Sequence, residues 1–452
     1  MIFSATPDRC SAGIVILFCL FALPVAAQES VDEVASQGSK LPLSSKDPED
    51  VRQQDIAGYI GATFRGRVSQ QFEMYCPRSE EDLRELKSMG FTQVILDRPN
   101  LHGAATREGL KVVLGNWWSQ DTRAEEIDRG IAQAREVHPD SLTGFSVMDE
   151  PERNTPETPF SFYRDLYEQL KPTFRREFPA ARIEISHWGP MASLTEAQFE
   201  YYSILYQAAD VMRIMPYPDL HEAPLDDVYF IIQRSRKLMK MADRELPLVV
   251  ILQTWVLPPK NKLPEINELR VMAWQAMLSG AQTVSFFDFN AEIWSQAPGF
   301  AEGFRTLMKE LTGLSQQYRD HVIETTMTAD GILKSTLTSS TGHMTRIEIN
   351  TQRHAVSGFE PLEIKEIDLS SQSSSEFAGA GTQPDAQASA DPNGRPVQEK
   401  SVLSVVPQGI QTCLDSCACK PLRYPQTQCI QLWRVKQNAG SRQRQNRRTV
   451  RH

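Results

Sequence analysis

Eight short β-branched runs alternating with amphipathic helical stretches, followed by a segment of strand-like alternation, predict an α/β fold. The expected architecture is a (β/α)8 TIM barrel with a small C-terminal β appendage and disordered termini. Such a barrel takes about 250 residues, the span of the repeating stretch. Of the 452 residues, 40% are hydrophobic and 23% charged. That balance excludes a polytopic membrane protein, a collagen-like fibre and a wholly disordered chain.

In chain order the strand candidates are QFEMYC (71–76), TQVILD (92–97), LKVVLGN (110–116) and LTGFSVMDE (142–150). They continue with RIEISHW (182–188), VMRIMPY (211–217), LPLVVILQ (246–253) and TVSFFDF (283–289). Helical patterns lie between them at 79–90, 122–137, 159–178, 194–208, 225–243, 264–280 and 300–319. The first of these has Ser79 as N-cap, acids in its first turn and Gly90 at its end. The second connection, 98–109, is short for a full helix. A doubly wound open sheet is the competing architecture, but it rarely needs eight regular repeats. After the barrel, ILKSTLTSS, HMTRIEIN and LEIKEIDL carry the period of two expected of the appendage.

The flanks read differently. Residues 12–27, AGIVILFCLFALPVAA, follow Arg9 and close on Val25-Ala26-Ala27, the pattern of a cleaved signal peptide; an uncleaved anchor is the competing reading. The expected organisation is therefore a signal peptide (1–27), a polar flexible leader (28–55), the barrel (56–325) and a small β domain (326–370). A Ser/Gly/Ala/Pro-rich linker (371–411) and a Cys-bearing basic tail (412–452) complete it. Export makes the mature chain secreted or periplasmic, with no stable membrane insertion after cleavage. Cys413, Cys417, Cys419 and Cys429 suit two disulfides in an oxidising compartment; their C-x3-C-x-C spacing is poor for a zinc knuckle. The net charge is −9, and seven Lys or Arg without an acid from Arg434 onward leave −16 for the rest. An acidic body offers no cationic face for phosphates, so no nucleic-acid partner is expected.

Barrel chemistry belongs at the C-terminal ends of the strands. In order these ends carry Asp97 with Arg98, Asn116-Trp117-Trp118, Asp149-Glu150-Pro151, His187-Trp188, Tyr217, Gln253-Thr254-Trp255, and Asp288 with Asn290. Four of the seven Trp (Trp117, Trp118, Trp188, Trp255) fall at these ends, and Trp294 follows in the last loop. Flat aromatic rings among carboxylates and amides suit sugars, whose C–H faces stack while their hydroxyls hydrogen-bond. A carbohydrate substrate is therefore expected, with Asp97, Asn116, Trp117, Trp118, His187, Trp188, Tyr217, Gln253, Trp255 and Asp288 as substrate-binding candidates. Asp149 and Glu150 are the catalytic candidates, since a carboxylic acid at the fourth strand end is placed to protonate a glycosidic oxygen. The alternative is a structural pair that caps the next helix or meets Arg153.

With V-M-D-E-P at the fourth strand end, the barrel resembles the clan A glycoside hydrolases, over roughly residues 70–320. In the clan A pattern an Asn precedes the acid and a Glu ends strand seven as nucleophile. Asp149 and Gln253 stand at those places here, and an amide forms no glycosyl ester. The adjacent acids are more similar to the N-acetylhexosaminidases of families 20 and 123, in which the substrate's acetamido oxygen is the nucleophile. That resemblance implies Glu150 as general acid/base and Asp149 as the group that orients the acetamido and stabilises its charge. It also implies Tyr217 on the acetamido carbonyl, with Trp188 or Trp255 walling the pocket. An inverting pair, Glu150 with Asp97 or Asp288 as base, is a third arrangement.

The eight His show no H-x-x-x-H or H-x-H, and G-x-S-x-G, P-loop and G-x-G-x-x-G motifs are missing, so no metal or other cofactor is expected. The competing function class is a catalytically inactive, secreted carbohydrate-binding barrel, for which Gln253 at the seventh strand end speaks.

Overall fold

The computed structural model describes residues 56–369 except 117, 120, 152–157, 189–195, 219–222 and 257–262. The expected signal peptide, leader, linker and Cys-bearing tail lie outside the described residues, as do Trp117 and the side chain of Trp188.

A first strand, β1 (Phe64–Arg67), precedes eight parallel strands that close into a barrel. These are β2 (Gln71–Tyr75), β3 (Gln93–Leu96), β4 (Lys111–Gly115), β5 (Leu142–Asp149), β6 (Arg182–Trp188), β7 (Val211–Met215), β8 (Leu248–Gln253) and β9 (Thr283–Phe287). Closure comes from β9 pairing with β2, Thr283 opposite Gln71. The connecting helices are α1 (Glu80–Ser88), α2 (His102–Arg107), α3 (Ala124–Glu136), α4 (Phe160–Glu177), α5 (Glu196–Gln207), α6 (Asp227–Met241) and α7 (Ile266–Leu278). A short α8 (Ala291–Ser295) and then α9 (Phe300–Gln317) follow the last barrel strand. The fold is the expected α/β barrel. In the short second connection a 3-10 turn at Pro99–Leu101 runs into α2.

Alternation along the strands builds two apolar layers. Phe72 and Met74, Val94 and Leu96, Met212 and Ile214, and Val250 and Leu252 point outward and join the helices in one core. The residues between them, including Ile95, Val113, Val249 and Ile251, fill the barrel interior. The start of α1 is held by a capping box: Ser79 Oγ accepts from Asp82 N at 3.1 Å while Asp82 Oδ2 accepts from Ser79 N at 3.1 Å. Gly90, after the helix, takes φ 91° and admits Thr312, whose methyl would lie 2.6 Å from a Cβ there.

The barrel also encloses charge. Arg213 and Glu73 are 0% exposed and Glu184 4%. The Arg213 guanidinium binds both carboxylates, donating to Glu184 Oε2 at 2.5 Å and forming a close ion pair with Glu73. Its Nε donates to Tyr75 OH at 3.1 Å, and Ser285 Oγ donates to Glu73 Oε1 at 2.6 Å. Charged groups so far from water survive only when paired and hydrogen-bonded in this way.

The remaining strands, β10 (Val322–Met327), β11 (Ile332–Thr338), β12 (Met344–Asn350) and β13 (Ile364–Asp368), form an antiparallel sheet with β1 in the order β1-β10-β11-β12-β13. β1 and β10 were not among the strands expected. FRGR has no apolar alternation, and its partner, Val322–Met327, lies some 250 residues downstream. Arg236 of α6 joins this sheet to the barrel helices: its guanidinium lies 3.3 Å over the Phe64 ring and donates to Ser279 O at 2.7 Å.

Candidate active site

The acid pair sits where β5 leaves the barrel. Asp149 pairs in register with Ser186 of β6, and Glu150 N donates to Ser186 O at 3.0 Å. Glu150 adopts φ 50°, a left-handed conformation costly for a residue with a Cβ, and the neighbouring strand's carbonyl helps to hold it. Across the mouth, Cys76 after β2 takes φ 56°.

The rim groups converge. Burial pushes the Cys76 thiol well above its usual range, and the charges of Asp97, Asp288 and Asp149 add to the shift. Tyr217, 5% exposed, is likewise held up by burial first and then by Glu150, Tyr75, Asp149 and Asp288. Tyr217 therefore lies within electrostatic reach of both members of the acid pair and of the carboxylate beyond the barrel axis. Asp288, 5% exposed, follows a cis Phe287–Asp288 peptide and accepts from Arg78 Nη2 at 3.3 Å. Burial raises its carboxyl above the usual carboxylate range, against the opposing pull of Arg78. Asp97 lies 3.8 Å from Arg98 Nε. Gln253 is 3% exposed and donates its amide to Trp255 O at 2.8 Å; half-buried Trp255 lies against Phe287 with ring centroids 5.5 Å apart.

The structure thus brings together Asp97, Asp149, Glu150, Tyr217, Gln253, Trp255 and Asp288 at one end of the barrel. Among the described residues it does not bring Trp118, Trp294, Asn116 or His187 there. Trp118 is 4% exposed and packs on Phe145, 6.1 Å between centroids, in the layer between barrel and helices. Asn116 leans the same way, its Oδ1 close against Gly130 of α3. Trp294 is buried among Phe289, Phe300 and Phe304, and its Nε1 donates to Thr254 O at 3.0 Å. His187 shares the outward face of β6 with Ile183 and Ile185 and bonds Tyr206 OH of α5 at 3.0 Å. Arg78, Cys76 and Tyr75 were not among the expected site residues. The signal for Tyr75 was its place on the inward-facing set with Gln71 and Glu73. Among the described residues no group of three or more His, Cys, Asp or Glu side chains is arranged to hold a metal ion, and no helix is long and apolar enough to cross a membrane.

Two buried groups on β6 give opposite pH dependences. Burial lowers His187 to about 3 from 6.5, so the unfolded chain takes up the proton first and this group makes stability rise with pH between those values. Burial raises Glu184 to about 7 from 4.5, so its contribution, full below 4.5, is lost as pH rises through 7. From about pH 4.5 to 6.5 the two slopes oppose each other. His187→Gln should make the unfolding free energy fall with rising pH by about 1.4 kcal/mol per unit relative to wild type. Glu184→Gln should make it rise by a similar amount. Urea titrations at about pH 5 and 6 measure both, and parallel shifts in the two variants would refute the assignment.

No family model matches the sequence, and no characterised protein matches it in sequence. Among solved structures the chain is similar to a glucosidase from Croceicoccus marinus, at 13% identity over 63% of this chain and 75% of that one, TM-score 0.41. It is also similar to a putative alpha-L-fucosidase from Bacteroides thetaiotaomicron, at 12% identity over 55% and 95%, TM-score 0.42. A third is the endo-beta-1,4-mannanase from Thermotoga petrophila, at 10% identity over 68% and 92%, TM-score 0.39.

Proposed function

We propose that the chain is a glycoside hydrolase acting on a glycan or polysaccharide, with Glu150 as general acid/base and Asp149 assisting. The observation that carries this reading is the convergence at the C-terminal mouth: the Asp149–Glu150 pair and the buried carboxylate of Asp288 stand at strand ends close enough to the phenol of Tyr217 for their charges to act on it. Glycosidic cleavage needs an acid at the leaving oxygen and a stabiliser for the positive charge that develops at the anomeric carbon. Glu150 takes the first part. In the substrate-assisted form, the acetamido oxygen attacks the anomeric carbon as the C–O bond breaks and Glu150 protonates the departing oxygen. Asp149 holds the acetamido N–H, Tyr217 donates to its carbonyl, and Glu150 then draws a proton from the water that opens the oxazolinium intermediate.

Gln253 favours a second reading. It places an amide where a carboxylate would be needed for double displacement, which suits an inactive barrel that only binds glycans. Hydrolysis of aryl glycosides, N-acetylhexosaminides and galactosides among them, separates these readings. Release from N-acetylated sugars alone, lost in Glu150→Gln, is the result expected. Galactoside release would point to Glu150 with Asp97 or Asp288 instead. Sugar binding without hydrolysis in either protein would leave the binding barrel. The pattern of residues 1–27 carries the accompanying proposal that the mature protein is secreted or periplasmic, and N-terminal sequencing of the exported chain should begin just after Ala27.

A further inference from the structure

Three neighbouring strands each end in a deeply buried polar side chain with an unused hydrogen-bonding atom. Tyr217 after β7 is 5% exposed, Gln253 at the end of β8 is 3% exposed and Asp288 after β9 is 5% exposed. Tyr217 OH, Gln253 Oε1 and Asp288 Oδ1 have no hydrogen-bond partner among the described residues. A buried polar atom left unmatched costs about 1–3 kcal/mol, and these three lie on one arc of the barrel mouth. The direction of each is fixed. Gln253 shares the inward face of β8 with Val249 and Ile251, and Tyr217 continues the inward face of β7 beyond Met215. Asp288 reaches Arg78 after β2 and is felt by both Cys76 and Tyr217, so it too faces the mouth.

The bonds already made determine what the arc asks for. Gln253 gives its Nε2 to the carbonyl of Trp255 at 2.8 Å. A carbonyl only accepts, so the amide orientation is forced: Nε2 is turned to Trp255, and the atom of Gln253 left without a partner is the acceptor Oε1. Asp288 Oδ2 accepts from Arg78 Nη2, which leaves Oδ1. An ionised carboxylate only accepts. Of the three unmatched atoms, Tyr217 OH is the one that can donate.

We propose that the unmatched acceptors Gln253 Oε1 and Asp288 Oδ1 form a subsite that recognises its ligand by two hydroxyl donors, with Tyr217 donating to an acceptor on the same ligand. The ligand class, a sugar with unsubstituted hydroxyls on that side of the ring, rests on the glycan reading above. The demand for two donors rests on the geometry alone. It follows that methylation or acylation of those hydroxyls abolishes recognition, because each buried acceptor is then left unmatched.

The test follows the side-chain amide resonance of Gln253, assigned by its loss in Gln253→Met, in the Glu150→Gln protein. The probes are glycerol and Tris as simple polyols, 1,2-dimethoxyethane as a donor-free ether, and the methyl glycosides of glucose, galactose and N-acetylglucosamine. Glycerol and Tris should move the resonance saturably, and dimethoxyethane should respond at least about tenfold more weakly or not at all. At least one methyl glycoside should move it too, and Gln253→Met should weaken that glycoside's binding about tenfold or more by calorimetry. If the polyols act and no glycoside binds, the subsite stands and the glycan reading falls. If a glycoside binds without moving Gln253, the glycan reading stands and the subsite falls. An equal response to the ether and the polyols, or none to either, overturns the donor requirement outright.

Discussion

Glu150→Gln should lower turnover of any cleaved glycoside by roughly 10²–10⁴-fold while leaving its binding within about twofold. Gln keeps the shape and one acceptor of the side chain and removes the transferable proton. The left-handed backbone at Glu150 is held from outside, by the bond from its N–H to Ser186 O at 3.0 Å, so the substitution leaves the loop in place. Asp149→Asn is the discriminating partner. If Asp149 orients an acetamido group, N-acetylated substrates should lose a similar factor, because an amide cannot neutralise the charge that grows on the attacking amide. If Glu150 works with Asp288 across the mouth, Asp149→Asn should cost far less, and Asp288→Asn should carry the loss. Equal kcat values for wild type and Glu150→Gln on a substrate that both cleave would remove Glu150 from the chemistry.

The barrel was legible because its strands carry the period of two on both faces. Phe72 and Met74 go outward while Gln71, Glu73 and Tyr75 go inward, and the same rhythm repeats around the ring. β1 carries no local signature: its residues have no apolar period and its ladder is with a strand near residue 325, a pairing that no local pattern encodes. The candidate acids are legible by position, since the end of a strand fixes where Cα stands. It does not fix where a side chain goes. Trp118 and Trp294 stand near the mouth by sequence and turn into the layer beneath the helices. His187 was decidable: Ile183, Ile185 and His187 alternate on one face of β6, and two isoleucines already commit that face to the helices. The charged interior was written in the strands as well, as a single Arg in VMRIM and a single Glu in QFEMY, each with apolar neighbours. What the spacing could not say is that these two meet, because Glu73 and Arg213 are 140 positions apart.

Arg213→Met should destabilise the protein by about 3–5 kcal/mol near neutral pH, a large part of the about 5–15 kcal/mol available to a typical domain. The cost does not come from lost packing, since Met fills much of the same space. It comes from Glu73 and Glu184, which share the Arg213 guanidinium and are buried with it inside the barrel. Without the cation the Glu73 carboxylate, and Glu184 to the extent that it is ionised, are left unpaired away from water and must either bear the desolvation cost or take up protons. The deficit should therefore shrink on acidification, and it should be smaller near pH 5 than near pH 7 in urea unfolding. A deficit that stays constant over that range would mean that packing, not charge, is what Arg213 supplies. Arg213→Lys makes the argument sharper: it restores the charge but not the fork that reaches Glu184 and Tyr75 together, so it should recover the pH-dependent part and leave a smaller, pH-independent loss. Replacing all three charged residues by apolar ones of similar volume should return most of the stability, since a buried ion cluster costs in desolvation about what it gains in attraction.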